Sequence, residues 1–445
     1  MELNIGGYCN RKIACSCGKE HYCPIEHVEI GHGALQHLPQ LLAGYQHIVL
    51  VADTNTDAAC GQQVRALLGE RVQRYLIYQR PGLLVPDEQA VAELEGALSQ
   101  DTDFIVGVGS GVINDICKYV SWRQDMEYAI VATAPSMDGF ASNSSAMEIN
   151  HVKMTLFNRA PKGILLDTDI LREAPMRMLW AGLGDMAAKY IALCEWRISN
   201  LVTGEYYCED VAKLMRSALK RVIDAADGIP GRDPAAIQAI AEGLIVSGIA
   251  MAYAEISRPA SGLEHYFSHM WEMMALERNQ PYDLHGIQVG IGTMLTLKMY
   301  RKFRQITPDR TKAEAYWTGM TQEKWEGRIR EIFGKTAPEI ITMEASIGKN
   351  DPKGHEERLN RIMAHWADIQ RAVSEELPDY EQLRGLMEKT GMPLRPSDIG
   401  ISVKDTVNAF IGARDARNKY MSCSLLWDLG LTDEFADYLE QVAEE

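Results

Sequence analysis

The chain has 445 residues, 46% hydrophobic and 24% charged, with 36 Gly and 17 Pro; this is globular composition for two or three domains, and it excludes disorder, collagen and a single small module. Against 45 basic side chains stand 61 acidic ones, a formal charge of −16, so a broad cationic footprint for nucleic acid is excluded and an anionic substrate would need a local cationic pocket. No run approaches about 18 uninterrupted apolar residues, so no membrane insertion is expected, and the start MELNIGGYCNRK lacks the basic-then-apolar order of a secretory signal, so a cytoplasmic location is expected.

Nine cysteines, an odd number scattered along the chain, do not suggest a disulfide scaffold. The first segment, residues 1–27, is Cys-rich. Its Cys9, Cys15, Cys17 and Cys23 with His21 offer zinc donors, although the spacing lacks paired C-x-x-C knuckles, and the alternative is a plain N-terminal hairpin. Next, HIVLVAD (47–53) predicts a strand, AACGQQVRALLG a helix, RYLIYQR a strand and DEQAVAELEGALSQ an amphipathic helix. DFIVGVG (103–109) predicts a strand, residues 112–122 a helix, YAIVATA (128–134) a strand and ILLDTDIL a further strand. Such alternation predicts a parallel sheet with crossover helices. From about Leu171 onward the apolar spacing is helical, as in RMLWAGLGDMAAKYIALCEWRISNLV and AAIQAIAEGLIVSGIAMAYA, and a domain border is expected near residues 170–175. The highly charged stretches 310–335 and 350–375 predict helices on a solvated outer face.

Gly109, Ser110 and Gly111 stand directly after a strand and before a helix, where backbone N–H groups and a helix N-terminus favour a phosphate. The spacing is G-x-G-S-G rather than G-x-G-x-x-G, so a tight strand-helix turn is the competing reading. Asp53 ends the strand VLVAD, from which a carboxylate accepts from a ribose and disfavours a 2′-phosphate. The loop from Thr133 to Gly139, with Ser136 and Asp138, ends another strand at the same sheet edge. In the helical part, Asp185 in AGLGDMAAKY, His265 and His269 at i and i+4, and His285 in LHGIQVGIGT read as one divalent metal site for Zn, Fe, Ni or Co. The competing reading is that each His is an ordinary core or surface residue.

The segments VGVGSGVINDICKY, ATAPSMDGFASNSSA, AGLGDMAAKYIALCEWRIS, SGLEHYFSHMWEM and HGIQVGIGT resemble, in order, the motifs of the sn-glycerol-1-phosphate dehydrogenase family, in its bacterial branch often called AraM. That family lies within the superfamily of iron-containing alcohol dehydrogenases and dehydroquinate synthases. The resemblance runs from about Val28 to Leu431. It implies an α/β plus all-α architecture: a Rossmann-like parallel-sheet NAD(P) domain over 28–174 and an all-helical, dehydroquinate synthase-like metal and substrate domain over 175–445. It further implies that Gly111 to Asp115, including Asn114, form a dinucleotide phosphate loop, with Thr133 to Ser136 and Ser142 as further cofactor contacts. Asp138 matches a substrate carboxylate, Asp185, His265 and His285 match three metal ligands, and His269 matches a catalytic, substrate-contacting imidazole.

The activity implied is NAD- or NADP-linked interconversion of sn-glycerol 1-phosphate and dihydroxyacetone phosphate, with one Zn, Ni or Fe ion, a small phosphorylated substrate and a homo-oligomeric enzyme. Lys153 in NHVKMTLF, where related cyclases place a lysine, is the expected phosphate contact together with His269; the alternative is an exposed strand lysine. Rival activities are a glycerol or polyol dehydrogenase, a dehydroquinate synthase-like cyclase, and a non-catalytic nucleotide- or metal-binding scaffold.

Overall fold

The computed structural model describes residues 4–149 and 152–445, except for the side chains of Val152 and Lys153. These form two compact units, one comprising the chain to Met186 together with Glu209–Ser257, the other Ala187–Cys208 together with Arg258–Glu445.

In the first unit a small hairpin pairs β1 (Lys12–Ala14) with β2 (Glu20–Tyr22). The chain then runs through β3 (His27–Gly31), β4 (Ile48–Asp53), β5 (Val72–Tyr78), β6 (Phe104–Gly109) and β7 (Tyr128–Ala132), a second hairpin of β8 (Ser144–Ile149) and β9 (Val152–Phe157), and β10 (Gly163–Asp167). The main sheet is parallel throughout, in the order β3-β10-β7-β6-β4-β5. Its central strands are buried along their whole length, which is why FIVGVG and YAIVA read as unbroken apolar runs rather than alternating ones. The crossovers are carried by α1 (Gln62–Leu68), α2 (Glu88–Ala97) and α3 (Gly111–Arg123). Helix α2 begins where the Asp87 carboxylate accepts the Ala90 N–H at 2.8 Å, and it buries Ala90, Val91, Leu94 and Ala97 at helical spacing. Leu50, Val106, Val108, Val131 and Leu165 lie in the core cluster of the sheet.

The order places β4 between β5 and β6. The chain leaves β4 to one side for β5 and later crosses to the other side for β6, so the connections diverge there and open a crevice at the carboxyl ends of β4 and β6.

Three further helices begin with α4 (Met176–Ala187) and, after the intervening α5 (Lys189–Thr203), continue with α6 (Glu209–Ala225) and α7 (Pro234–Ala254). The compact units therefore do not divide near residues 170–175: α6 and α7 complete the sheet-bearing unit, and α7 packs on α6, β2, β3 and the short turn Asp138–Ala141. Helical periodicity identifies α7 as a helix but carries no information on what it covers. By length and composition α7 could cross a membrane, yet 78% of its most apolar window is buried inside the protein, as in a core helix. The Cys-rich segment also belongs to this unit, where Tyr253 Oη donates to the Tyr8 carbonyl at 2.5 Å.

The second unit is helical, as expected. It contains α5, α8 (Leu263–Glu277), α9 (His285–Phe303) and a run of helices from Arg310 to Val442. Helices α8 and α9 pack together, and α8 also packs on the helix Val403–Ala416. The charged stretches do form helices, but each keeps a buried stripe, including Trp325, Ile329, Leu359, Ile362 and Ile369.

Candidate active site

At the end of β6, Gly109 lets α3 start close to the strand, since a Cβ there would lie 2.6 Å from Ile113 Cβ. Ser110 occupies the N-cap of α3 without a side-chain cap bond, so no side chain closes the first-turn N–H groups. This uncapped helix end at the switch point fits a dinucleotide phosphate. Asp53 is the last residue of β4. Its Oδ1 accepts the N–H groups of Asn55 and Thr56, both at 2.8 Å, so the carboxylate caps a short turn as well as facing the crevice edge.

The loop after β7 is tied down from below. Thr133 N–H donates to the Gly109 carbonyl at 3.1 Å, and both Thr133 and Ser136 are buried. Asn114 donates to the Gly139 carbonyl at 3.2 Å and accepts from Tyr128 Oη at 3.2 Å. Ser142 Oγ donates to the carbonyls of Gly139 and Ser144, at 3.0 and 3.1 Å. These two sequence-selected residues thus hold the loop's own backbone, while Asp115 lies on the same helix turn as Asn114. Sequence reasoning missed Lys118, which is fully buried and donates to Gly139 O at 2.8 Å, Ser142 Oγ at 3.1 Å and Ser144 O at 2.8 Å. Burial pushes its ammonium down to about 8, with Asp115 and Asp138 opposing. The available signal was position, since Lys118 follows Asn114 by four residues on one helix face.

This loop delivers Asp138. Its N–H donates to Asp185 Oδ2 at 2.9 Å, and its own Oδ2 accepts from Ser247 Oγ of α7 at 2.7 Å. Asp185 is fully buried on α4. Close approach is possible because Gly182, one turn earlier, has no side chain: a Cβ there would sit 2.0 Å from the Pro135 carbonyl oxygen. Lys153 stands in β9 opposite Glu148, and its side chain lies outside the described residues.

In the second unit, α8 and α9 bring three imidazoles together. Ring centroids lie 5.3 Å apart for His265 and His285, 5.6 Å for His269 and His285, and 6.4 Å for His265 and His269. His265 Nδ1 lies 2.8 Å from Glu264 Oε1, and His285 Nδ1 lies 2.9 Å from Ser268 Oγ. Imidazoles that bind a metal through Nε2 are commonly held at Nδ1 in this way. Glu272, buried and unforeseen from sequence, approaches from α8: donor atoms of His269, Glu272 and His285 lie within 4.8 Å of one another. Burial pushes His269 down to about 3, with Glu272 opposing, which keeps the imidazole neutral. In that set a carboxylate and two imidazoles, one of them held at Nδ1, fit a divalent first-row ion.

Around Glu264, which holds His265, stands a set of ionisable side chains that the sequence analysis did not single out. Glu195 accepts from Leu263 N–H at 3.0 Å, and Glu264 from Gly262 N–H at 2.6 Å. Burial pushes both carboxyls up to about 7, Glu264 adding its charge to Glu195. Lys189 and Lys419 donate to the carbonyls of Ala260 and Ser261, at 3.1 and 2.6 Å, and burial with Arg258 nearby pushes Lys419 down to about 7.

Comparison with known proteins places this geometry. The iron-containing alcohol dehydrogenase family matches residues 29–175. A glycerol-1-phosphate dehydrogenase of the NAD(P)+ type from Halalkalibacterium halodurans is 30% identical over 93% of this chain and 95% of its own. The chain belongs to the glycerol-1-phosphate dehydrogenase family. The enzyme of that name from Bacillus subtilis is 36% identical over 58% of this chain and 67% of its own. The crystal structure of glycerol dehydrogenase from Schizosaccharomyces pombe, at 15% identity, superposes with a TM-score of 0.59, covering 94% of this chain and 91% of that one, and shows a shared fold. Membership in this family supports NAD(P) and a divalent metal as its cofactors.

Proposed function

We propose that the enzyme interconverts sn-glycerol 1-phosphate and dihydroxyacetone phosphate. The observation that carries the reading is the cluster of His265, His269 and His285 with two Nδ1 atoms held, on a chain similar along nearly its whole length to glycerol-1-phosphate dehydrogenases. Asp185, His265 and His285 would hold the metal, and Asp53, Gly109, Ser110 and Gly111, flanked by Asn114, Asp115, Thr133, Ser136 and Ser142, would hold the cofactor. When bound, a Zn, Ni or Fe ion supplies Lewis acidity to the reacting oxygen, and NAD(P) supplies or accepts the hydride.

The chain's own residues do the rest. The Asp138 carboxylate, oriented by Ser247, accepts a substrate hydroxyl, and its N–H steadies Asp185. His269, kept neutral by burial, offers a lone pair for the substrate hydroxyl proton. Lys153 and His269 read the phosphate, and Asp53 favours a free ribose hydroxyl over a 2′-phosphate.

A substrate panel tests the proposal on protein of measured metal content. Dihydroxyacetone phosphate should be reduced with NADH or NADPH far better than dihydroxyacetone. Lys153→Met should raise KM for the phosphorylated substrate by about ten- to a hundred-fold, the value of one charge-assisted contact, and leave KM for NADH in place. Equal turnover of both substrates would overturn the reading.

A further inference from the structure

The N-terminal cysteines take no part in the chemistry above. Between β1 and β2 the chain turns through Cys15–Lys19, where Cys15 N–H donates to the Lys19 carbonyl and Gly18 N–H to the Cys15 carbonyl, both at 3.1 Å, with Gly18 at φ +86°. Cys15 Sγ, Cys17 Sγ, a ring nitrogen of His21 and Sγ of the buried Cys208, just before α6, lie within 4.8 Å of one another. His21 is buried; its Nδ1 lies 2.8 Å from the Tyr253 carbonyl oxygen and its ring stacks on Tyr253 at 5.2 Å. The carbonyl fixes the proton on Nδ1, so Nε2, 3.6 Å from Cys17 Sγ, presents its lone pair toward the thiols. At the start of α6, Asp210 Oδ2 accepts from Cys15 Sγ at 3.2 Å and from Ser16 Oγ at 3.0 Å.

We propose that Cys15, Cys17, His21 and Cys208 bind one zinc ion distinct from the catalytic metal. Around a tetrahedral zinc, with Zn–S near 2.3 Å and Zn–N near 2.0 Å, donor atoms stand about 3.5 to 3.8 Å apart, so the observed set closes on the ion with about 1 Å of movement in a hairpin turn. An imidazole whose second nitrogen is bonded to a backbone carbonyl is the arrangement that orients a metal-ligating His. The thiols divide accordingly. Cys15 and Cys17 alone among the nine are not buried and cluster with Cys208, whereas Cys9 and Cys23 are interior and hydrogen-bond to each other. On binding, each of the three S–H groups loses its proton to solvent and the sulfur forms a bond to zinc, with no redox partner needed. The ion would clamp the hairpin to the chain just before α6 through Cys208 and, through His21, to the Tyr253 carbonyl at the end of α7.

The test uses the full-length reduced protein. Wild type should hold one more zinc per chain than Cys15→Ser/Cys17→Ser, and its two accessible thiols should resist an aromatic disulfide reagent until a chelator is added. Cobalt-loaded wild type should show thiolate charge-transfer absorption, which carboxylate and imidazole ligands do not produce; the double variant should lose that band and keep its turnover. Unchanged metal content in the double variant, or a wild type without the band, overturns the proposal. Should the double variant fail to fold, His21→Cys should retain the ion and the band while His21→Leu loses both; equal content in these two would also overturn it.

Discussion

Replacing one hydrogen by a methyl group at Gly182 should damage catalysis from a position that carries no functional atom. The added Cβ would meet the Pro135 carbonyl oxygen at 2.0 Å and Ile240 Cγ2 at 2.8 Å, and separations under 3.0 Å are essentially never seen for a Cβ. Ile240 can yield at the end of its side chain, but the carbonyl is backbone, so α4 and the loop must part by about 1 Å. Three residues along the same helix, Asp185 Oδ2 accepts the Asp138 N–H at 2.9 Å, and that bond does not survive such a displacement. Overpacking of this kind costs about 1 to 3 kcal/mol. For a unit of this size that is about 2 to 4 °C in Tm per kcal/mol. In the metal-holding role proposed for Asp185, misplacement by about 1 Å lowers turnover by about a hundred-fold. The assay is calorimetry with steady-state kinetics and metal content on Gly182→Ala. Gly327→Ala serves as control, since a Cβ there meets nothing within 4 Å and should stabilise its helix by about 0.5 to 1 kcal/mol. Wild-type Tm, metal content and turnover in Gly182→Ala would refute the reasoning.

Removing the buried ammonium in Lys118→Met should cost about 1 to 3 kcal/mol, toward the low end because Ser142 Oγ still serves both loop carbonyls, and should raise KM for cofactor; an unchanged Tm counts against the tether. In Asp53→Asn, NADPH should gain on NADH by about tenfold, the equivalent of about 1.4 kcal/mol, and a constant ratio would assign Asp53 to capping alone. Burial lowers the pKa of His355 in the folded state, so between its unfolded value near 6.5 and that lower value the unfolded chain binds the extra proton. Stability is full above about pH 6.5 and falls as pH drops through this window; His355→Phe, which preserves stacking on Trp317, should show a shallower loss of Tm between about pH 7 and 5.

The alternation of strands and crossover helices was legible because parallel strands buried on both faces leave unbroken apolar runs, and FIVGVG and YAIVA are such runs. The glycines after β6 and the spacing of His265, His269 and His285 were legible for the same reason: local geometry is encoded in adjacent residues. What escaped was long-range. The hairpin β8–β9 mixes polar and apolar residues without clean alternation, and Asp138 depends on Ser247, over a hundred residues away. Glu195, Glu264, Lys118 and Lys189 were invisible because charged residues in helices ordinarily face water, and only the folded chain shows them buried and paired with backbone groups.

The chain leaves the sheet-bearing unit after Met186, returns at Glu209 and leaves again after Ser257. During synthesis, the nascent sheet is complete at β10 but still lacks α7, which packs on β3 and on the turn Asp138–Ala141, and α6, which packs on α7. The intervening stretch, Ala187–Cys208, must be made and held in waiting, because it belongs to a core whose remaining residues emerge only after Arg258. Domain-by-domain folding in order of emergence is thereby denied to this polypeptide, and the half-made sheet passes through an interval of exposed apolar surface in which chaperone capture competes with aggregation.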